Sequence, residues 1–156
     1  MEHNATFKPP RGSNWTKLQS LLFVKLAYIV AIAAGWAFVD VVETSNPLWI
    51  MAGADVVGTV VIFVFSTIMR NTSMYDAYWS VAPVPIALYW MLESVAGVDP
   101  VRQWLVMLLV STWGIRLASN WAYGWTGLRH EDWRYTFFRE KTGRLFPLVV
   151  FFGLHF

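Results

Sequence analysis

The 156-residue chain has no cysteine, and only 14% of its residues are Asp, Glu, Lys or Arg against 56% apolar ones. Without cysteine there is no disulfide framework, no thiolate metal site and no thiol nucleophile. A soluble domain carries about a quarter charged residues, so this chain is short of the side chains needed to cover a water-facing surface. It also lacks charge of one dominant sign: 12 basic residues stand against 10 acidic ones, which gives no ground for a nucleic-acid partner. A glycine-rich dinucleotide fingerprint, a P-loop and a G-x-S-x-G elbow are absent too. Internal repeats and low-complexity tracts do not occur. What these absences leave is an all-α integral membrane protein.

A membrane-crossing helix needs about 20 mostly apolar residues. Four stretches come near that, 21–42, 48–69, 80–96 and 102–120. A fifth run, 145–156, stops after 12 residues, which at helical rise covers about 18 Å of a hydrocarbon core near 30 Å. The expected fold is four transmembrane helices plus the start of a fifth. Residues 1–20 form a polar N-terminal segment and 21–156 the membrane domain. The first apolar run exceeds a signal-peptide core and has no small-residue cleavage site after it, so it reads as an uncleaved span. Pro83 and Pro85 cannot both sit in an undisturbed helix interior, so the third span starts near Pro85 behind a structured interfacial loop. Trp49, Trp79, Trp104 and Trp121 fall near span ends, where an aromatic belt is expected.

Orientation follows from the Lys and Arg of the connections. Alternating sides puts Lys8, Arg11, Lys17, Arg70, Arg116, Arg129, Arg134, Arg139, Lys141 and Arg144 on one face and Arg102 on the other, with Lys25 in the first span. The N-terminus and the 121–144 loop are therefore expected in the cytoplasm. A basic loop orients any multispan protein, but this one also interleaves acids and aromatics: "GLRHEDWRYTFFREKTGRLF". Residues 131–141 have the pattern of a short amphipathic helix lying at the membrane interface, with Trp133 and Phe137 on one face. The adjacent residues His130, Glu131 and Asp132 cannot converge on one ion from a regular helix, so no metal site is expected.

Charges inside spans usually face a partner or a water-filled cavity. Asp55 is the deepest carboxylate, and Asp40 lies towards the same side, so the two could flank one polar cavity. The alternatives are an interfacial helix end for Asp40 and a structural hydrogen bond for Asp55. Lys25 can snorkel to the interface, and Glu93 reaches headgroups or water. At the end of the fourth span, Arg116, Asn120 and Tyr123 or Gly124 share one helical face. This polar stripe suits an anionic headgroup or a nucleotide phosphate, or else serves as an anchor that stops the span.

"SMYDAYWSVAPV", followed by "WGIRLASNWAYGWTGLRHEDWRYTFFREKTG", resembles the DUF1295 membrane family, grouped with the C-terminal domain of steroid 5-alpha-reductases, over roughly residues 50–156. The resemblance implies an all-helical membrane protein whose better-known relatives use NADPH to reduce a carbon–carbon double bond conjugated to a ketone in a steroid or other lipid. On matching motif positions it implies cofactor-side roles for Asp76, Arg116, Asn120, Arg129 and Arg134, and a polar catalytic end at Asp55 and Tyr75. Members of such families continue beyond this length into helices that form much of the nucleotide pocket, so the chain is expected to be a fragment or a truncated product. Two other functions remain open: a non-catalytic membrane protein that binds lipid or a partner, and a methyltransferase relative using S-adenosylmethionine.

Overall fold

The computed structural model describes residues 11–153, apart from 13, 44–45 and 94–96. The described residues are helical, without strands. Helix α1 (Lys17–Val41) starts at a capping box, in which Thr16 Oγ1 accepts from Gln19 N and Gln19 Oε1 accepts from Thr16 N. Two of the first-turn donors are satisfied that way. Helix α2 (Pro47–Met69) starts at Asn46, whose side chain accepts from Leu48 N, with Pro47 fixing the first helical position.

These two helices pack through small residues. Ala27, Ala31 and Gly35 recur every fourth position on the buried face of α1, and Ala54 and Gly58 do the same on α2. A Cβ on Gly35 would stand 3.2 Å from the Ala54 carbonyl oxygen. Between apolar helices in lipid there is no hydrophobic drive to associate, so close backbone approach through small residues supplies the contact. The opposite faces carry exposed Leu22, Leu26 and Ile29 on α1 and Val56, Val60 and Val64 on α2. Both helices are long and apolar enough to cross a membrane.

Two helices, rather than four and the start of a fifth, meet that measure among the described residues. The expected third span is broken: α3 (Tyr78–Val81) turns at Ala82 into α4 (Pro83–Leu92). Ten helical residues rise only about 15 Å, and residues 94–96 lie outside the described residues. The break follows from Pro83, which cannot donate a backbone hydrogen bond and so restarts the helix. Helix α5 (Pro100–Gly124) has 25 residues but carries Arg102, Gln103, Arg116 and Asn120, which dilute its apolarity. The last run forms only α7 (Phe146–Gly153); residues 154–156 of the expected fifth span lie outside the described residues. The short helix expected over 131–141 is present as α6 (Trp133–Thr142), with Trp133 71% and Phe137 44% exposed.

Gly58 and Gly114 set how closely the short helices dock. A Cβ on Gly58 would overlap the Tyr78 hydroxyl, and one on Gly114 would stand 2.5 Å from the Ser80 carbonyl oxygen. Gly58→Ala is expected to destabilise the protein by about 1–3 kcal/mol through overpacking. Gly124→Ala, whose added Cβ meets nothing within 4 Å, should be neutral or stabilising by up to about 1 kcal/mol. Denaturant unfolding in detergent checks both; an equal effect of the two would contradict the close approach.

Candidate functional site

One end of the molecule is held by a polar clasp between two connections. After α2, Asn71 is fully buried; its amide donates to the carbonyl oxygens of Leu128 and His130, both at 3.1 Å, and its side-chain oxygen accepts from Ser73 N. Glu131, 4% exposed, accepts from Thr72 N at 2.7 Å and takes Arg139 Nη2 on both oxygens at 2.9 Å. Asp132 N donates to Ser73 Oγ at 2.8 Å. Helix α1 joins through Ser20 Oγ, which accepts from Leu128 N, and Lys17 Nζ, which donates to Tyr123 O. Every buried polar group of this loop pair must find a partner, because leaving one unmet costs about 1–3 kcal/mol.

The clasp walls an open cleft of about 390 Å³ lined by Asp76, Asn120, Trp125, His130, Asp132 and Arg134 among others. That size lies in the range of small-molecule sites, about 300–1,000 Å³. Asp132 caps α6 by accepting from Arg134 N and also accepts from Arg134 Nε, both at 2.9 Å. The Arg134 side-chain hydrogen bond holds the Asp132 carboxyl below its usual range and raises the guanidinium in turn. Arg134 Nη2 lies 3.7 Å from Asp76 Oδ1, which accepts from the Tyr135 hydroxyl. Burial nonetheless pushes the Asp76 carboxyl up, against the pull of Tyr135 and Arg134. Burial, with the Asp76 charge, also raises the Tyr135 phenol. Trp121 stacks on Trp125 at 4.7 Å, and the buried Trp125 Nε1 has no hydrogen-bond acceptor among the described residues. An indole donor, an amide, a guanidinium, two carboxylates and stacked rings fit a ribonucleotide, whose base stacks and whose hydroxyls donate to carboxylates.

A second, smaller pocket of about 40 Å³ lies between α1, α2 and the α3–α4 segment. Its walls are apolar, from Ala31, Trp36, Met51 and Ile86, and its polar groups include Asp55 and Tyr78. Tyr75, which ends the 3₁₀ turn Thr72–Tyr75, does not line it but shares a side-chain hydrogen bond with the buried Thr59. Burial first, then the Asp55 charge, raises the Tyr78 phenol. On Tyr75 burial again leads, and the Asp55 charge adds to it. Tyr78 is fixed from behind by an edge-on contact with Tyr28, whose hydroxyl donates to Met74 O.

Of the five residues singled out for a cofactor, the structure brings together Asp76, Asn120 and Arg134 in the cleft. Arg116 and Arg129 are exposed and do not line it. Asn120 and Arg116 share a helix face, but only the later turn reaches the clasp. Asp55 and Tyr75 lie within electrostatic reach of each other. Asp40 and Lys25 are exposed, and Asp40 does not join Asp55 in a cavity. Sequence reasoning missed Tyr78, Trp125, Asn71 and the inward turn of Glu131. The aromatic-rich "MYDAYW" signalled Tyr78, while nothing local distinguishes Glu131 from the exposed acids around it.

Glu131→Gln leaves the Arg139 guanidinium without a charge partner, and a loss of about 3 kcal/mol in unfolding free energy is expected. Asp132→Asn, at a pair whose side chains are 31% and 53% exposed, should cost less than about 1 kcal/mol, since Asn caps as well as Asp. The Asp76 carboxyl, raised in the folded state, favours the protonated native form. Its contribution to stability therefore falls as pH rises from about 4 through the raised value. Asp76→Asn keeps an acceptor for Tyr135, so variant minus wild-type melting temperature should grow more positive between pH 4 and neutrality; a flat difference would refute the assignment.

No curated protein and no solved structure matches the chain. A family model does: DUF1295, described as a protein of unknown function, matches residues 62–156. That match takes in the end of α2, the 3₁₀ turn, the polar clasp, the cleft and α7, while Asp55 and α1 lie before it. It covers more than half of the sequence, and on that ground the chain belongs to the DUF1295 family.

Proposed function

We propose that this DUF1295 protein is a membrane oxidoreductase that reduces the double bond of a conjugated enone in a steroid or other lipid, with NADPH as the partner bound at the cleft. The observation that carries this reading is the pairing of Asp55 with Tyr78 in an otherwise apolar pocket. Apolar walls suit a lipid, and a phenol beside a carboxylate suits one carbonyl oxygen. The pocket's 40 Å³ admits the ketone end of the molecule, while the remainder stays among lipid chains along the exposed flanks of α1 and α2. The basic connections gathered at the clasp end support a cytoplasmic position for the cleft, where a soluble nucleotide would be met.

When bound, NADPH supplies a hydride to the β-carbon of the enone. The Tyr78 phenol, protonated at neutral pH like any tyrosine and pushed further up by burial, would donate a hydrogen bond to the ketone oxygen and stabilise the negative charge that develops there. Asp55 orients that phenol, and a solvent proton at the α-carbon completes the saturated ketone. On the nucleotide side, Asp76, Asn120, Trp125, Asp132 and Arg134 would hold the cofactor, the carboxylates as acceptors for its hydroxyls and the indole, amide and guanidinium as donors. Tyr75 and Asp76 are neighbours on one turn, with Tyr75 tied towards Thr59 and Asp76 towards Tyr135.

The test is enone-dependent oxidation of NADPH by the purified protein in detergent, with a steroid enone and a linear enone offered in turn. One saturated ketone should form per NADPH consumed. Tyr78→Phe should lower kcat about 10²–10⁴-fold and leave NADPH affinity within about twofold. If a thermal shift appears with S-adenosylmethionine and none with NADPH, the reductase reading is lost.

A further inference from the structure

Behind the clasp, away from the cleft, a recess of about 40 Å³ lies between the end of α2, α6 and α7. Its polar lining is Ser66, Thr67, Arg70, Thr72 and Arg139, set against Phe146. We propose that this recess binds a phosphate group, held between the guanidinium groups of Arg70 and Arg139.

Three observations meet there. First, Arg139 has a buried donor without a partner among the described residues. Its Nη2 serves both oxygens of Glu131, its guanidinium lies 4.0 Å over the Phe146 ring, and its buried Nε has no acceptor among the described residues. A buried donor of this kind calls for an oxygen. Second, Arg70 caps α2 in the left-handed region, at φ 54 and ψ 39, where glycine is the residue without strain. An arginine kept in that conformation points to a use for its side chain, and no carboxylate pairs with it among the described residues. Third, the charge balance is positive. Glu131 offsets one of the two guanidinium groups and leaves one uncompensated.

The C-terminal carbonyls of α2 do not oppose an anion, because Ser66 O and Thr67 O accept from Asn71 N and Arg70 N. Paired guanidinium groups present parallel N–H donors that match phosphate oxygens, and Thr67 and Thr72 add hydroxyls beside them. The chemistry recognised is a terminal phosphate group. It can arrive as the headgroup of an anionic lipid, since the recess lies where α2 ends, or as a free phosphate. This site shares no lining residue with the cleft, so it stands or falls apart from the reductase reading.

The experiment is a thermal-shift titration of the full chain in neutral detergent. The probes are inorganic phosphate and phosphatidic acid in mixed micelles, with phosphatidylcholine and sodium chloride at matched ionic strength as controls. Phosphatidic acid, phosphate or both should raise the melting temperature saturably. A response to phosphatidic acid alone assigns the site to a lipid headgroup, and a response to both assigns it to phosphate in general. Arg70→Gly relieves the backbone, so its melting temperature without ligand should be equal or higher, while its affinity falls at least tenfold. Arg70→Asn, also tolerated in the left-handed region, should behave alike and serves if the glycine variant does not fold. Wild-type affinity in either variant, or no response beyond the controls, would overturn the proposal.

Discussion

The buried bond of the Asn71 amide to the carbonyls of Leu128 and His130 is the contact on which the rest of the functional end depends. It fixes the connection after α2 against the connection after α5, two segments more than fifty positions apart in the chain. Once Asn71 is seated, Thr72 N meets Glu131, Ser73 Oγ meets Asp132 N, and Asp76 comes into reach of Tyr135. Each of these bonds is modest alone, about 0.5–1.5 kcal/mol. Their shared burial makes them cooperative, because losing one exposes the partner groups of the next to an apolar surrounding.

How much of this could be read from residues alone differs by element. The first two helices were legible as apolar runs of that length, although α1 starts at Lys17, inside the stretch read as a polar segment, because the capping box at Thr16 begins the helix before the apolar run does. The proline pair gave the break before α4, and the aromatic and charged pattern of 131–141 gave α6. The third and fifth spans failed because apolarity predicts burial from water but not an unbroken helix, and the fourth because α5, though unbroken, is too polar to meet the same measure. Pro83 restarts the chain, and α7 forms a short helix that packs Phe146 and Val150 against Tyr135. The site was legible in part because Tyr75, Asp76, Asn120 and Arg134 sit in conspicuous polar stretches. Arg116 shared their composition but not their place, since a helix face only reaches the clasp where the helix ends. Glu131 and Asn71 were hidden because burial of a polar side chain depends on a partner that is distant in sequence.

The 3₁₀ turn sends neighbouring side chains to different parts of the molecule. A turn this tight cannot bury its residues on one face, as a longer α-helix would, so neighbouring side chains diverge. Tyr75 turns to Thr59, Asp76 to Tyr135, and Tyr78 returns over Gly58. The last contact needs a glycine on α2, and that glycine is in register with Ala54 in the small-residue stripe that packs α1 on α2. The packing of the two long helices and the aim of the Tyr78 phenol are therefore one constraint. A bulkier stripe would separate the helices and displace the phenol together.

Departures from local rules collect at one end of the molecule. Among the described residues, α1 and α2 pack by small-residue contacts with conventional caps at their starts, and both present apolar flanks. At the other end stand a left-handed arginine, a carboxyl raised by burial, and two buried donors without acceptors at Trp125 and Arg139. Sequences are locally consistent wherever only folding is at stake, and they tolerate inconsistency where a site must be kept ready. Arg70, Asp76, Trp125 and Arg139 border two separate recesses on either side of the Asn71 clasp. The same buried bonds thus hold both recesses in shape, and loosening the clasp would relax the cleft and the recess behind it at once.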